Sequence, residues 1–208
     1  MRDPDVAAFD VRAHGYEAGR HGKLHRDIAD RTAALALRST AAPRHVLDVG
    51  CGTGYLLRRL AASLPGAETL CGVDPAPAMV DVARRSSRDA RVRIEQGVAE
   101  ALPWTDATFD MVVSTTSFDH WKDQGKGLHE CARVLQPGGT LVLVDLISRV
   151  LWATLLWPSY SGKARTPVRV ERLLRQAGFA EVRRNRVYAV IINAATARKP
   201  RSEPGSRM

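Results

Sequence analysis

The sequence predicts an α/β protein built on a doubly wound, largely parallel sheet with helices on both faces. Two observations carry this. Strand-like runs alternate with helical patterns along most of the 208 residues, and the runs are near-continuously apolar, as strands buried on both faces are. The first run, Val46 to Val49, breaks into Gly50, Gly52 and Gly54 before a helical pattern resumes at Leu56. That strand–loop–helix joint is where such sheets form a ligand crevice.

The elements follow in order. Residues 1–22 have weak periodicity, and a helix is expected over about Leu24–Arg38. Strands are expected at Arg44–Val49, Glu68–Val73, Val92–Gln96, Met111–Thr115 and Thr140–Leu146. The intervening helices are Thr53–Ser63, Ala76–Arg88 and Gln124–Leu135, with another at Val168–Ala177 that Gly178 is placed to end. Two last strands, Glu181–Arg186 and Tyr188–Ala194, are joined by a single residue. So short a link permits an antiparallel pair and forbids a parallel crossover. One domain is expected over 1–197, with a helical cap over 1–40, a substrate lid over 147–167 and a disordered tail over 198–208.

The glycine spacing narrows the ligand. A dinucleotide loop reads Gly-x-Gly-x-x-Gly, but here the third glycine would fall on bulky Tyr55. The loop instead reads Gly-x-Gly-x-Gly, and its backbone amides open the next helix. Asp48 just before it is a poor neighbour for a pyrophosphate and a good one for an amine. Asp74 follows the second strand, roughly 20 residues beyond the loop, where a carboxylate accepts from ribose hydroxyls. Amine, ribose and no phosphate describe S-adenosylmethionine better than a nicotinamide dinucleotide.

The segment Val46-Leu47-Asp48-Val49-Gly50-Cys51-Gly52-Thr53-Gly54 resembles the first motif of class I S-adenosylmethionine-dependent methyltransferases. Further similar segments follow in that family's order: Gly72-Val73-Asp74, Ala99 to Pro103, Phe109 to Ser114, and Glu130 to Leu141. The nearest likeness is to the branch that includes the menaquinone/ubiquinone C-methyltransferases, strong over about residues 40–146. The resemblance implies a Rossmann-like seven-stranded sheet ordered 3-2-1-4-5-7-6, with strand 7 antiparallel. It also implies that the glycine loop (Gly50, Cys51, Gly52, Gly54) and Asp48 hold the methionine portion, with Asp74 on the ribose. Met79 and Ala99 would lie near the adenine, Ser114 at the end of the fourth strand, and Tyr16 of a Tyr-Glu pair over the cofactor. Cys51 reads as a small filler. At the third strand the chain departs from the family: the usual Gly-Asp-Ala is Gly97-Val98-Ala99, so adenine recognition falls to backbone and apolar contacts.

Composition agrees with a globular protein: 45% hydrophobic and 25% charged residues. Met1 is followed by Arg2, Asp3 and Asp5 rather than an apolar run, and the most apolar long stretch, Leu141–Trp157, is broken by Asp145 and Arg149. Cys51, Cys71 and Cys131 form no CxxC pair. A cytoplasmic protein without a transmembrane segment is expected. Of the 31 basic residues 26 are arginines, scattered along the chain without interleaved aromatics. This reads as a solvated surface and argues against a nucleic-acid partner.

On the acceptor side, Ser114 to Trp121 follows the fourth strand, and His120 is the candidate base, with Asp119 as orienting partner. His14, His21, His25, His45 and His129 lack metal-ligand spacing and default to the surface; no metal is expected. The leftover segment 147–167, with Trp152, Leu155, Leu156, Trp157 and Tyr160, is either a helix packed on the sheet edge or an apolar acceptor wall. The expected partner is a small, apolar or aromatic methyl acceptor, and a homodimer is compatible with the chain. Two functions stay open: a small-molecule methyltransferase, or a catalytically degenerate relative that binds or regulates. A nicotinamide dehydrogenase is disfavoured by Tyr55.

Overall fold

The computed structural model describes residues 4–147, 166–188 and 192–201. Its sheet holds seven strands: β1 (His45–Val49), β2 (Thr69–Asp74), β3 (Val92–Gln96), β4 (Phe109–Thr115), β5 (Leu135–Leu146), β6 (Ala180–Tyr188) and β7 (Ile192–Arg198). Their order is β3-β2-β1-β4-β5-β7-β6, with β7 antiparallel to both β5 and β6 and the other neighbours parallel. The fold class and strand order expected from the sequence are both found.

Among the described residues six α-helices surround the sheet: α1 (Pro4–Arg12), α2 (Gly19–Ser39), α3 (Tyr55–Ser63), α4 (Pro77–Ser86), α5 (Gln124–Val134) and α6 (Pro167–Gln176). Because successive strand residues point to opposite faces, each central strand feeds two cores. Val46, Met111, Val113, Val142 and Val144 pack with Leu57 and Leu60 of α3 and Ile28 and Ala36 of α2. Leu47, Val112, Leu141 and Leu143 pack with Leu128 of α5 and Leu174 of α6. Burial on both sides is why these strands are apolar throughout.

Two stretches differ from expectation, and a third is helical where local periodicity is weak. Residues 4–22 are largely helical, in keeping with the expected cap although their periodicity is weak: Pro4 stands at the first position of α1, where a missing N–H is harmless. This helix buries none of its residues, so its sequence shows little amphipathic signal. Of the last two strands, β6 is longer than expected, continuing through Val187 and Tyr188, and β7 is displaced, beginning at Ile192. The small residues Ala194, Ala195 and Ala197 pack in the sheet interior despite modest hydrophobicity. Arg198 and Lys199, assigned to the tail from sequence, are part of the folded structure: Arg198 ends β7, and Lys199 closes a backbone pair with the Gly138–Gly139 turn (N–H to O 2.9 Å each way) while its Nζ donates to the Leu135 carbonyl at 2.7 Å. The lid expected over 147–167 falls on residues outside the described set except Ile147, Thr166 and Pro167, and residues 202–208 of the expected tail also lie outside it.

Many arginines serve as internal ties. Arg91 donates to the carbonyls of Ala61, Leu64 and Ala67 at 2.7–3.2 Å, closing the α3–β2 connection. Arg133 bonds the carbonyls of Leu102 and Trp104 and the carboxylates of Glu130 and Asp106. Part of the positive charge is therefore spent on loops.

Candidate functional site

The carboxyl ends of β1, β2 and β4 open into a cavity of about 680 Å³, within the ~300–1,000 Å³ range of small-molecule sites. At the end of β1 stands Asp48, 2% exposed, whose Oδ1 has no hydrogen-bond partner. Burial, with the charge of Asp74 added, pushes its carboxyl up to about 8. At the end of β2, Asp74 accepts from the Gly52 N–H (2.8 Å) on one oxygen and the Ala76 N–H (2.9 Å) on the other. Burial raises its pKa and those two amides oppose the rise. The loop between them is stitched to β2, since the N–H groups of Gly50 and Cys51 both donate to the Val73 carbonyl, at 2.8 and 3.0 Å. The thiol of Cys51 is driven far up by burial first, so it is an inert filler rather than a nucleophile.

Gly50 requires glycine twice over. Its φ is +76°, and an added Cβ would lie 2.3 Å from both Cβ and Oγ of Ser117. Ser117 cannot retreat: its Oγ donates to the Val49 carbonyl (2.9 Å), accepts from the Trp121 indole N–H (3.2 Å) and meets the Ser114 hydroxyl (2.8 Å). This hydroxyl holds the tips of β1 and β4 at a fixed separation. Gly50→Ala therefore combines left-handed strain of about 1–2 kcal/mol with overpacking of about 1–3 kcal/mol. A chemical denaturation midpoint unchanged from wild type would show that the loop relaxes freely.

The N-terminal elements wall the opposite side. Tyr16 stacks on His25 (centroids 4.8 Å apart, 29° between planes), and burial plus the nearby Asp74 push its phenol up to about 12. Glu17 accepts from the Thr53 hydroxyl (2.6 Å) and from Arg58 (2.7 Å), and Arg26 donates to its carbonyl. The glycine loop and the cap are thus tied by one carboxylate. On α1, Asp10 accepts from the Ala78 N–H at 2.9 Å, docking the helix on α4.

Past β4, a short 3-10 turn (Phe118–His120) carries His120 to the cavity. Asp145, at the end of β5, accepts from the Asp119 N–H (3.3 Å) and the Leu146 N–H (2.6 Å), fixing this turn to the sheet. The carboxylate within hydrogen-bond distance of the imidazole belongs to Asp5 of α1, with Oδ2 3.2 Å from Nδ1, rather than to the expected Asp119. Phe9, one helical turn after Asp5, meets the same ring edge-on at 4.9 Å and 87°.

Of the residues singled out from the sequence, Tyr16, Asp48, Gly50, Cys51, Gly52, Asp74, Met79, Ala99 and His120 line this cavity. Gly54 and Ser114 do not. Gly54 caps α3 at φ +76° where α4 comes close (a Cβ would be 3.2 Å from that of Ala83), and Ser114 is fully buried behind Ser117. Both support the loop from outside. His25, expected on the surface, is half-buried at the cavity, and burial lowers its pKa. Asp5, Phe9, Glu17 and Ser117 were missed. Pro4 followed by Asp5 is a helix-start signal that would have placed the first two on one face. Among the described residues no His/Cys/Asp/Glu group could hold a metal ion, and no helix is long and apolar enough to cross a membrane.

A cavity at the carboxyl tips of β1 and β4, on either side of the strand-order reversal, with a glycine loop and two buried carboxylates, defines a nucleoside-type cofactor fold. Residues 47–143 match the methyltransferase domain family. The chain is similar to a demethylmenaquinone methyltransferase of Thermus thermophilus, 40% identical over 121 residues, covering 57% of this chain and 54% of that protein. It is also similar to a malonyl-[acyl-carrier protein] O-methyltransferase of Methylococcus capsulatus, 31% identical over 186 residues, covering 85% and 66%. Among solved structures it superposes on a chain of the complex between the Haloferax volcanii Trm112 methyltransferase activator and a methyltransferase. The TM-score is 0.80 at 22% identity, over 96% of this chain and 98% of the other. The chain spans about half the length of the demethylmenaquinone methyltransferases it matches. Residues 47–143 carry the methyltransferase domain, on the seven-stranded fold expected from the resemblance to class I S-adenosylmethionine-dependent methyltransferases.

Proposed function

We propose that this protein methylates a small, apolar or aromatic acceptor in the cytoplasm, using S-adenosylmethionine. The observation that carries the reading is the pair Asp48 and Asp74, buried at adjacent strand ends on either side of the glycine loop. The residues fit that cofactor. The unpartnered buried Oδ1 of Asp48 is an acceptor suited to an ammonium group. The outer lone pairs of Asp74 suit two ribose hydroxyls. An added Cβ at Gly52 would meet nothing within 4 Å, so glycine keeps the floor open. Met79, Val98 and Ala99 offer an apolar slot to the base, Val98 standing 44% exposed with no acceptor on its side chain.

When bound, this cofactor supplies a methyl group already activated by sulfonium charge. The chain then has to align the acceptor and exclude water, and alignment is worth up to about 7–11 kcal/mol in the best cases. The roof of α1, with Phe9 and Tyr16, serves exclusion. His120 takes the proton when the attacking group is a hydroxyl or N–H.

Titration calorimetry with S-adenosylhomocysteine, followed by mass spectrometry of S-adenosylmethionine with a panel of naphthoquinols and catechols, tests the reading. Binding together with an acceptor gaining one methyl group is expected. Binding with no methyl transfer across the panel would favour the degenerate binding protein instead, to which the missing acidic residue at Val98 already lends some support.

A further inference from the structure

We propose that Asp5 is the positioning residue for His120: it fixes the ring with Nδ1 protonated, leaving Nε2 as the proton acceptor on the cavity side. The inference rests on the reading of His120 as the base and adds a second residue to it, contributed from 115 positions away in the chain.

The geometry is specific. A neutral imidazole has one donor and one acceptor nitrogen, and a partner on one nitrogen decides the role of the other. Here the Nδ1 partner is a carboxylate, Oδ2 of Asp5 at 3.2 Å, which can only accept when ionised; Nδ1 must therefore carry the hydrogen. Phe9, four residues along α1, closes on the ring edge-on at 4.9 Å. Residues at i and i+4 share one helix face, so a single face of α1 supplies both a polar and an apolar restraint on the same imidazole. That face is held in register from two sides. Asp10 is bonded to the first turn of α4 at 2.9 Å, and Val6 and Phe9 pack against the cluster of Ala13, Ala76 and Met79. From below, Asp145 anchors the backbone of the turn that carries His120. The pair is partly exposed, with side chains 41% and 53% accessible, so it contributes little to stability. Its role is orientation.

Long-range proton–nitrogen NMR correlation on protein with ¹⁵N-labelled histidine reads this directly and needs no acceptor. Spectra are taken at pH 8.5, above the ordinary imidazole range, with the His120 signal assigned by its loss in His120→Gln. Wild-type His120 is expected in the Nδ1–H form. Asp5→Ala should shift it toward the Nε2–H form that free imidazole prefers, and Asp5→Glu should restore the wild-type pattern at least in part. Phe9→Ala should leave the tautomer unchanged. An Nε2–H form in the wild type, or a tautomer indifferent to Asp5→Ala, overturns the proposal. Should Asp5→Ala fail to fold, the wild-type spectrum alone still decides. Adding S-adenosylhomocysteine to the same samples separates the two readings. Failure to bind it would sink the cofactor assignment and leave the Asp5–His120 result standing. A merely structural Asp5 would alter neither the tautomer nor its rescue by glutamate.

Discussion

Asp74→Ala is expected to weaken S-adenosylhomocysteine binding by at least tenfold and toward a hundredfold, measured by titration calorimetry. The carboxylate is 8% exposed and already committed to the amides of Gly52 and Ala76. In the proposed complex it also accepts from two ribose hydroxyls. Hydrogen bonds to a charged group are worth about 1.5–3 kcal/mol each, and about 2.7 kcal/mol is a hundredfold in affinity. Alanine also leaves the Gly52 N–H without its acceptor, loosening the loop that faces the amine. Asp74→Asn, which keeps one acceptor oxygen, should fall between the two. An unchanged dissociation constant for Asp74→Ala would remove this residue from the site.

Affinity should also climb with pH and level off near 8, because of Asp48. A folded-state value of about 8 against a reference of 3.8 means that between those limits the ligand-free folded protein holds one proton more than the unfolded chain does. Its stability contribution is therefore complete below pH 4 and is lost as pH rises through 8. Binding a cationic amine reverses the preference and favours the ionised carboxylate. Below pH 8 each ligand should then expel close to one proton, and the dissociation constant should improve by about tenfold per pH unit at the steepest. Calorimetry at pH 7 in buffers of different ionisation enthalpy counts that proton. Asp48→Asn should flatten the dependence. Heats that do not change with buffer would mean the carboxyl is already ionised before the ligand arrives.

Both of these residues could be placed from sequence because they sit at the ends of apolar strands beside glycines, where chain geometry leaves little freedom. The strand order followed from the family resemblance, and the helices on both faces from alternation. Legibility fell where local pattern and tertiary role part company. α1 carries no buried side chain, so periodicity could not reveal it, and with it went Asp5 and Phe9. Asp119 was the nearer neighbour in sequence, but a 3-10 turn held by Asp145 leaves the ring to a carboxylate from the far end of the chain. Ser114 was expected at the site from the resemblance; it lies one residue before the end of β4, and strand alternation turns it inward, behind Ser117. The displacement of β7 has a similar cause. Alanines and a threonine between Asn193 and Arg198 read as neutral, yet they pack flush against β5.

The exposure of α1 has a practical side. Val11 on its outer face is 87% accessible, while the native thiols Cys51, Cys71 and Cys131 are all buried. A dye coupled to a cysteine installed at position 11 would be the sole accessible label among these sulfurs. It would ride on the same short helix that touches the imidazole, so the fluorescence of a single probe could report how tightly the amino-terminal roof grips its contents.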